Sequence, residues 1–125
     1  MRVHLTKLFT TQVGEMADGI DLVSGGSGMD KSISIKGRIT VSNSSEMRTA
    51  LARVLFTKPA NLSVDLSAVS YIDSSGVATL IEAARIARSQ HTRMILDGIH
   101  DQPRYFFEIT HLGGLFDITG QEAHT

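Results

Sequence analysis

The chain has 125 residues, of which 42% are hydrophobic and 20% are charged, ordinary values for one globular domain with its own core. Its 12 basic and 13 acidic residues nearly balance, so composition gives no bulk attraction to nucleic acid or to an anionic membrane. The absence of cysteine excludes disulfides and thiolate chemistry. No apolar run approaches the roughly 20 residues of a membrane span and no signal-peptide core is present, so we expect a cytoplasmic protein without membrane insertion.

Residues 1–28 carry little regular pattern. The glycine cluster at 25–28 predicts a flexible linker or a turn, and the segment before it is either an extension or an extra strand. No Gly-Lys-Ser/Thr follows the cluster, so a phosphate-binding loop is weakly supported. We therefore predict an N-terminal extension or extra strand with a glycine-rich linker over 1–28, one domain over 29–119 and a polar tail over 120–125.

The pattern sharpens after residue 29. Alternating apolar residues predict a strand over 32–39, with a bulge at Gly37. Asn43 followed by Glu46 resembles a capping box and predicts the start of a helix that Pro59 closes. The apolar stripe of this helix comprises Met47, Leu51, Val54 and Leu55.

Three further segments continue the alternation of strand and helix. A second strand is predicted over 62–66 and a third over 93–97, with an amphipathic helix between them. Pro103 suits the first turn of a third helix, which the glycines at 113–114 would end, and 115–118 is a last short strand or a helical turn. This order predicts an α/β fold, a mostly parallel sheet of four to five strands with helices packed against it. The second helix has the apolar stripe Val77, Leu80, Ile81, Ala84 and Ala87.

The most informative segment is the turn formed by Asp73, Ser74, Ser75 and Gly76, here called the 73–76 turn. It lies where a strand ends and a helix begins, the place where functional sites of parallel sheets are found. A serine there can cap the helix, hold an anion or carry a phosphate, because unpaired backbone N–H groups and the helix dipole favour negative charge. The residues alone leave these three roles open.

A second polar segment, Ser42, Asn43 and Ser44, follows the preceding strand. Because neighbouring parallel strands end at the same edge of a sheet, we expect these three residues to lie at the same end as the 73–76 turn. Two interpretations remain equally supported, the rim of a partner-binding surface and a solvated loop.

Four segments together resemble a STAS domain, the module of bacterial anti-sigma factor antagonists and of sulfate-transporter tails. The resemblance covers residues 29–119 and implies a STAS-like fold. The segments are Lys36-Gly37-Arg38-Ile39, Asn61-Leu62-Ser63-Val64-Asp65-Leu66-Ser67-Ala68-Val69, Tyr71-Ile72-Asp73-Ser74-Ser75-Gly76 and Leu112-Gly113-Gly114-Leu115-Phe116.

This resemblance implies a binding module and not an enzyme, with neither cofactor nor metal and without direct contact to nucleic acid. In antagonists of this kind, an anti-sigma factor that is also a serine kinase phosphorylates the first hydroxyl after the aspartate, which is Ser74 here. The unphosphorylated antagonist binds the anti-sigma factor and frees the sigma factor. Phosphorylation breaks this contact, so transcription is regulated indirectly. Asp73, Ser75 and Gly76 would then lie in the partner-binding surface.

One departure favours a second function within the same family. Many antagonists have glycine two residues after the glycine of the motif, where this chain has Ala78. STAS subunits that dock on ABC-type lipid transporters or other membrane-associated complexes vary more at this position and need no phosphorylation. This is the alternative to the phosphorylated antagonist.

An enzyme is the alternative from a different class. The five histidines, at 4, 91, 100, 111 and 124, lack metal-ligand spacing such as His-Glu-x-x-His. No histidine base is recognisable beside Asp73 and Ser74, so the sequence does not support a catalytic triad. A receiver-like phospho-aspartate site would need an acidic pair after the first strand, where Gly37 and Arg38 stand instead.

Overall fold

The computed structural model describes residues 19–111, 114 and 116–120. The predicted extension up to residue 18, the tail from 121 and residues 112, 113 and 115 lie outside this range. Within it, five strands and three helices follow one another along the chain. They are β1 (Ile20–Ser27), β2 (Asp30–Ile39), α1 (Ser44–Phe56), β3 (Asn61–Ile72), α2 (Ser74–Ser89), β4 (Arg93–Asp97), α3 (Asp101–Ile109) and β5 (Asp117–Thr119).

The first two strands form an antiparallel hairpin, with Ser27 opposite Asp30. Gly25 and Gly26 lie within β1, and Gly28 takes a positive φ of 59° in the two-residue turn, a conformation that glycine adopts without steric cost. Of the two predicted alternatives, a flexible linker and a turn, the turn agrees with the position of Gly28, and the ladder to β2 continues through Gly25 and Gly26. A boundary between residues 28 and 29 would divide a hairpin, and the segment before Gly28 contributes an extra strand.

The remaining strands are parallel to β2, and the sheet order is β1-β2-β3-β4-β5. Each parallel pair is joined through one helix, as α/β units require. The predicted fold class, a mostly parallel sheet of four to five strands with packed helices, is confirmed.

One face of the sheet carries the core. Ile33 and Ile35 on β2, like Leu62 and Val64 on β3, are buried, whereas the intervening Ser34 is exposed. The predicted stripes of α1 and α2 pack onto this face and onto each other, and burial of each large aliphatic side chain contributes about 1.5–3 kcal/mol. The fully buried side chains with the largest volumes are Ile20, Ile33, Ile35, Ile39, Met47, Leu51, Leu55, Leu62, Leu66, Ile72, Leu80 and Leu96.

Strand β3 is longer than predicted, since it runs to Ile72 instead of ending at residue 66. Pairing with β2 maintains it, and the last pair joins Ile39 to Ile72. The alternation is lost near Ala68 because β3 has one residue more than β2 between the pairs Ser34–Asp65 and Lys36–Ala68. A second extra residue of β3, Ser70, lies opposite Gly37 and Arg38, so the irregularity predicted at Gly37 is a bulge of β3 and not of β2. Helix α3, by contrast, ends earlier than predicted, at Ile109.

None of the helices within the described ranges has both the length and the apolar composition to cross a membrane.

Candidate functional site

The 73–76 turn and the loop formed by Thr40, Val41, Ser42 and Asn43, here called the 40–43 loop, meet at the carboxyl ends of β2 and β3. The Asp73 N–H donates to the Ile39 carbonyl oxygen at 3.0 Å. The Asp73 carboxylate in turn accepts a hydrogen bond from the Val41 N–H, with Oδ2 and N 3.0 Å apart. The prediction that both segments lie at the same end of the sheet is therefore confirmed.

Asp73 is the N-cap of α2. Its Oδ1 accepts hydrogen bonds from the N–H groups of Ser75 at 2.9 Å and Gly76 at 3.1 Å. These two groups are among the first amides of the helix, which have no partner inside it. Together with the bond to Val41, this arrangement makes one carboxylate hold the start of α2 and the 40–43 loop at once.

Two opposing effects act on the pKa of Asp73. Burial raises it, and the hydrogen bonds from Ser75, Gly76 and Val41 lower it; the balance leaves the pKa below its ordinary value. The carboxylate is consequently ionised near neutral pH, where it can only accept hydrogen bonds.

The two serines of the turn differ in accessibility. The Ser75 hydroxyl donates to Asp73 Oδ1 at 2.6 Å and is partly buried. Ser74 is exposed at the first position of α2, and its hydroxyl has no hydrogen-bond partner among the described residues. Of the predicted site residues in this turn, Ser74 therefore has the hydroxyl most available to a partner.

Gly76 is buried where α2 passes over the ends of two strands. A Cβ at this position would lie 2.6 Å from Ile39 Cγ2 and 2.7 Å from Ile72 Cγ1, distances that real Cβ contacts essentially never show. The residue thus permits close packing of the helix on the sheet. Its side-chain position faces the core, and its predicted role in partner binding stays a prediction.

Asn43 lies at the N-cap position of α1, but its side chain makes no cap hydrogen bond. Instead Oδ1 accepts from the Thr40 N–H at 3.0 Å and Nδ2 donates to the Arg38 carbonyl at 2.8 Å. The predicted capping box is therefore wrong in its asparagine half. The amide closes the 40–43 loop because the loop has buried backbone groups that need partners.

The three polar residues predicted for the rim are not equivalent. Ser42 is exposed, whereas Asn43 and Ser44 retain only 5% and 9% of their accessible surface. Only Ser42 can present its side chain at the rim, and Asn43 and Ser44 shape the loop from inside.

Sequence reasoning missed Val41, which is 76% exposed beside the 73–76 turn and donates its N–H to Asp73. An apolar residue within a hydroxyl-rich loop, outside either helical stripe, was the available signal. It also missed Gln102, whose side chain bonds the Ile72 backbone just before the turn. No periodicity or motif marks that glutamine.

The Arg38 guanidinium lies 4.3 Å from the centre of the Tyr71 ring, a cation–π contact. The two residues face each other across β2 and β3, close to where both strands end. This pair was not predicted either, because strand register is not visible in the sequence.

The chemistry of this site is that of an exposed hydroxyl in a favourable field for an anion. The first turn of α2 and its dipole favour negative charge at Ser74. Among the described residues, His100 is the histidine whose ring forms hydrogen bonds. Its partners are the Asp101 carboxylate and the Ser67 carbonyl oxygen, and the ring contacts neither Ser74 nor Ser75. The Asp73 carboxylate is directed to Ser75 and not to Ser74.

The structure thus combines a mostly parallel five-stranded sheet and three helices with an Asp-Ser-Ser-Gly turn at the carboxyl edge of the sheet. The family model described as "Mlab, STAS domain" matches residues 25–118. The chain belongs to the STAS-domain family.

Named relatives are consistent with this. The anti-sigma-B factor antagonist of Listeria monocytogenes is 29% identical over 91 residues, which cover 73% of this chain and 80% of that protein. A crystal structure of an anti-sigma factor antagonist from Mycobacterium paratuberculosis has a TM-score of 0.75 at 19% identity, covering 82% of this chain and 87% of that one.

The Bacillus cell fate determinant SpoIIAA, solved in its phosphorylated form, has a TM-score of 0.62 at 18% identity, with 78% of this chain and 89% of that chain covered. At these identities the solved structures establish the shared fold.

Proposed function

We propose that this protein is an anti-sigma factor antagonist that binds a kinase-type anti-sigma factor and is released when Ser74 is phosphorylated. The observation that carries the proposal is the difference between the two serines: the Ser74 hydroxyl is exposed and unbonded within the described residues, whereas Asp73 holds that of Ser75. The curated relative named as an antagonist and the phosphorylated form of SpoIIAA support it.

A phosphate at Ser74 would leave the fold intact. It adds about −1.5 to −2 charges near neutral pH, and at the first position of a helix the dipole favours that charge. The side chain points to solvent, so the free protein need not desolvate the phosphate.

The same phosphate would oppose binding. The proposed contact surface is the exposed end of the molecule formed by Val41, Ser42, Ser74 and Ala78. A partner packed against Val41 would have to desolvate the phosphate, and that loss of water would strengthen the repulsion between the phosphate and the ionised Asp73 next to it. Because about 1.4 kcal/mol is a factor of ten in affinity, a penalty of a few kcal/mol abolishes a micromolar complex.

The direct test uses calorimetric titration of a purified kinase-type anti-sigma factor from the native host. We expect Ser74→Asp to weaken binding at least about 100-fold, or about 2.7 kcal/mol, and Ser74→Ala to bind like wild type. Ser89→Asp is the matched control, since Ser89 is exposed at the other end of α2. Retained binding by Ser74→Asp would show that charge at this position is not the switch.

A second measurement needs no purified partner. Intact-mass spectrometry with peptide mapping, on protein purified from its native host, should reveal a shift of about 80 Da on the peptide that contains Ser74. Its absence across growth and stress conditions would contradict the proposal.

That absence would instead favour the second candidate, a STAS subunit that docks on an ABC-type lipid transporter or another membrane-associated complex without phosphorylation. The observation in its favour is Ala78, which is exposed on α2 close to Ser74, where many antagonists have glycine. Co-purification with transporter subunits from the native host, unchanged in Ser74→Asp, would support this candidate.

A further inference from the structure

The edge of β3 that faces β4 loses its neighbouring strand partway along. Strand β4 pairs only with Asn61–Asp65, although β3 continues to Ile72. Backbone N–H and C=O groups of the remaining part of this edge need other hydrogen-bond partners. Among the described residues, two side chains from the start of α3 supply such partners at Ser67 and Ile72.

The first of these side chains is Gln102. Its Oε1 accepts from the Ile72 N–H at 2.9 Å, and its Nε2 donates to the Ile72 carbonyl at 2.9 Å. One carboxamide thereby reproduces the donor and acceptor that a neighbouring strand would offer. The next N–H along the chain, that of Asp73, points the other way and binds Ile39 of β2. The backbone is therefore held from both sides directly before Ser74.

The second side chain is His100, whose Nε2 lies 2.9 Å from the Ser67 carbonyl oxygen. The preceding loop packs closely on the same residue: a Cβ at Gly98, which has a φ of 78°, would lie 2.7 Å from Ser67 Cβ. Asp101 has a φ of 55°, in the left-handed region that aspartate tolerates better than most residues with a side chain. The hydrogen bonds of His100 and Gln102 to β3 lie on either side of it.

We infer that Gln102 is a positioning residue for Ser74: it takes the place of a neighbouring strand at Ile72 and thereby fixes the 73–76 turn that presents the hydroxyl. The role of Gln102 in presenting Ser74 rests on the proposed function of that serine. The hydrogen bonds that carry the inference do not depend on it.

The experiment compares amide hydrogen exchange, measured by NMR on the full chain, in wild type, Gln102→Ala and Gln102→Glu. We expect Gln102→Ala to speed exchange of the Ile72, Ser75 and Gly76 amides about tenfold, the size expected for loss of a hydrogen bond, and to leave the centre of β3 unchanged. Gln102→Glu keeps an acceptor for Ile72 and loses the donor. It should therefore leave Ile72 protected while Ser75 and Gly76 exchange faster.

Gln90 is the matched control, since its Nε2 also donates to a backbone carbonyl, that of Leu55 at 2.8 Å. It follows the other end of α2, so Gln90→Ala should leave exchange in the 73–76 turn unchanged. The inference is overturned if the amides of the 73–76 turn exchange like wild type in Gln102→Ala. It is also overturned if Gln102→Ala and Gln90→Ala both speed this exchange in proportion to their loss of global stability in urea.

The fraction of Ser74 phosphorylated in the native host then separates the two hypotheses. A fall in Gln102→Ala but not in Gln90→Ala supports positioning for phosphorylation, and an unchanged fraction in a loosened turn overturns that link. If wild type itself carries no phosphate, the proposed function fails, whereas faster exchange in Gln102→Ala still supports the role of Gln102 in holding the turn.

Discussion

The starts of α1 and α2 lie side by side at one end of the sheet, and both have an Asx residue followed by serine. Asp73 binds the first amides of its own helix, and Ser74 beside it is exposed. Asn43 turns away from its helix to bind the 40–43 loop, and Ser44 beside it is buried. The same local pattern thus produces a presented hydroxyl at one helix and a closed loop at the other, and the tertiary environment determines which.

The largest expected effect comes from placing a charge at the two serines that follow the caps. We expect Ser44→Asp to lower the free energy of unfolding by about 2–3 kcal/mol, because a carboxylate there loses hydration. Ser74→Asp should change it by less than about 0.5 kcal/mol, since its side chain is exposed near the positive end of the helix dipole. Urea denaturation at pH 7 measures both. Equal losses would remove the proposed distinction between the two helix starts.

Next in size is the close approach of α2 to the strands. Gly76→Ala should lower the free energy of unfolding by about 2 kcal/mol, because the new methyl group overlaps Ile39 and Ile72. Gly114→Ala is the control, since a Cβ there meets nothing within 4 Å. If thermal denaturation finds the two variants equally stable, α2 has room to move away from the sheet and Gly76 is not needed for packing.

Exchanging the two cap residues gives a smaller effect. Asn43→Asp removes the donor to the Arg38 carbonyl at a buried site and should cost about 1–2 kcal/mol, whereas Asp73→Asn keeps an acceptor for the helix and should cost about 1 kcal/mol. Chemical denaturation of each single variant measures these costs. A larger loss in Asp73→Asn would mean that the charge, and not the cap, dominates at α2.

Acid should also distinguish the two caps. The pKa of Asp73 is lower in the folded chain than in the unfolded chain, so its stabilisation is present above the unfolded value of about 4 and is lost as pH falls through the folded one. Wild type should therefore lose more stability between neutral pH and about pH 3 than Asp73→Asn does. Parallel acid dependence of the two proteins would contradict this assignment.

The smallest expected effect concerns α3, whose N-cap residue His100 also turns to a strand. Hydrogen bonds to the Ser67 carbonyl and to Asp101 raise the pKa of His100, since only the protonated ring donates from both nitrogens. Its stabilisation is full below the unfolded pKa of about 6.5 and is lost as pH rises through the folded value. The ring is 45% exposed, so the loss should be a few tenths of a kcal/mol.

Melting temperatures at pH 6 and pH 8 test this, with His100→Gln expected to show a smaller drop than wild type. His91→Asn, at another exposed histidine, should keep the drop of wild type. If His91→Asn removes the pH dependence instead, His100 is not its source.

Much of the architecture could be predicted because local patterns encode it. The alternation around Ile33 and Ile35 and the stripe of Met47, Leu51 and Leu55 each specify an element and its buried face. The end of β3 was placed too early, since pairing with β2 and not local alternation maintains its last residues. The glycine cluster was predicted to be a linker or a turn, because only the ladder to β2 shows that it belongs to a hairpin.

The sequence by itself determined the order of elements, the position of the 73–76 turn at a strand end and the acid that caps α2, because spacing and residue type suffice for these. Only the tertiary structure decided that Ser74 and not Ser75 is available, that Asn43 closes a loop, and that Gln102 holds Ile72. The hydrogen bonds of Ser75 and Asn43 span only two to five residues, whereas two others join groups far apart in the chain: Val41 is 32 residues from Asp73, and Gln102 is 30 from Ile72. Hydrogen bonds over such separations follow from strand register and helix packing, which no local pattern records.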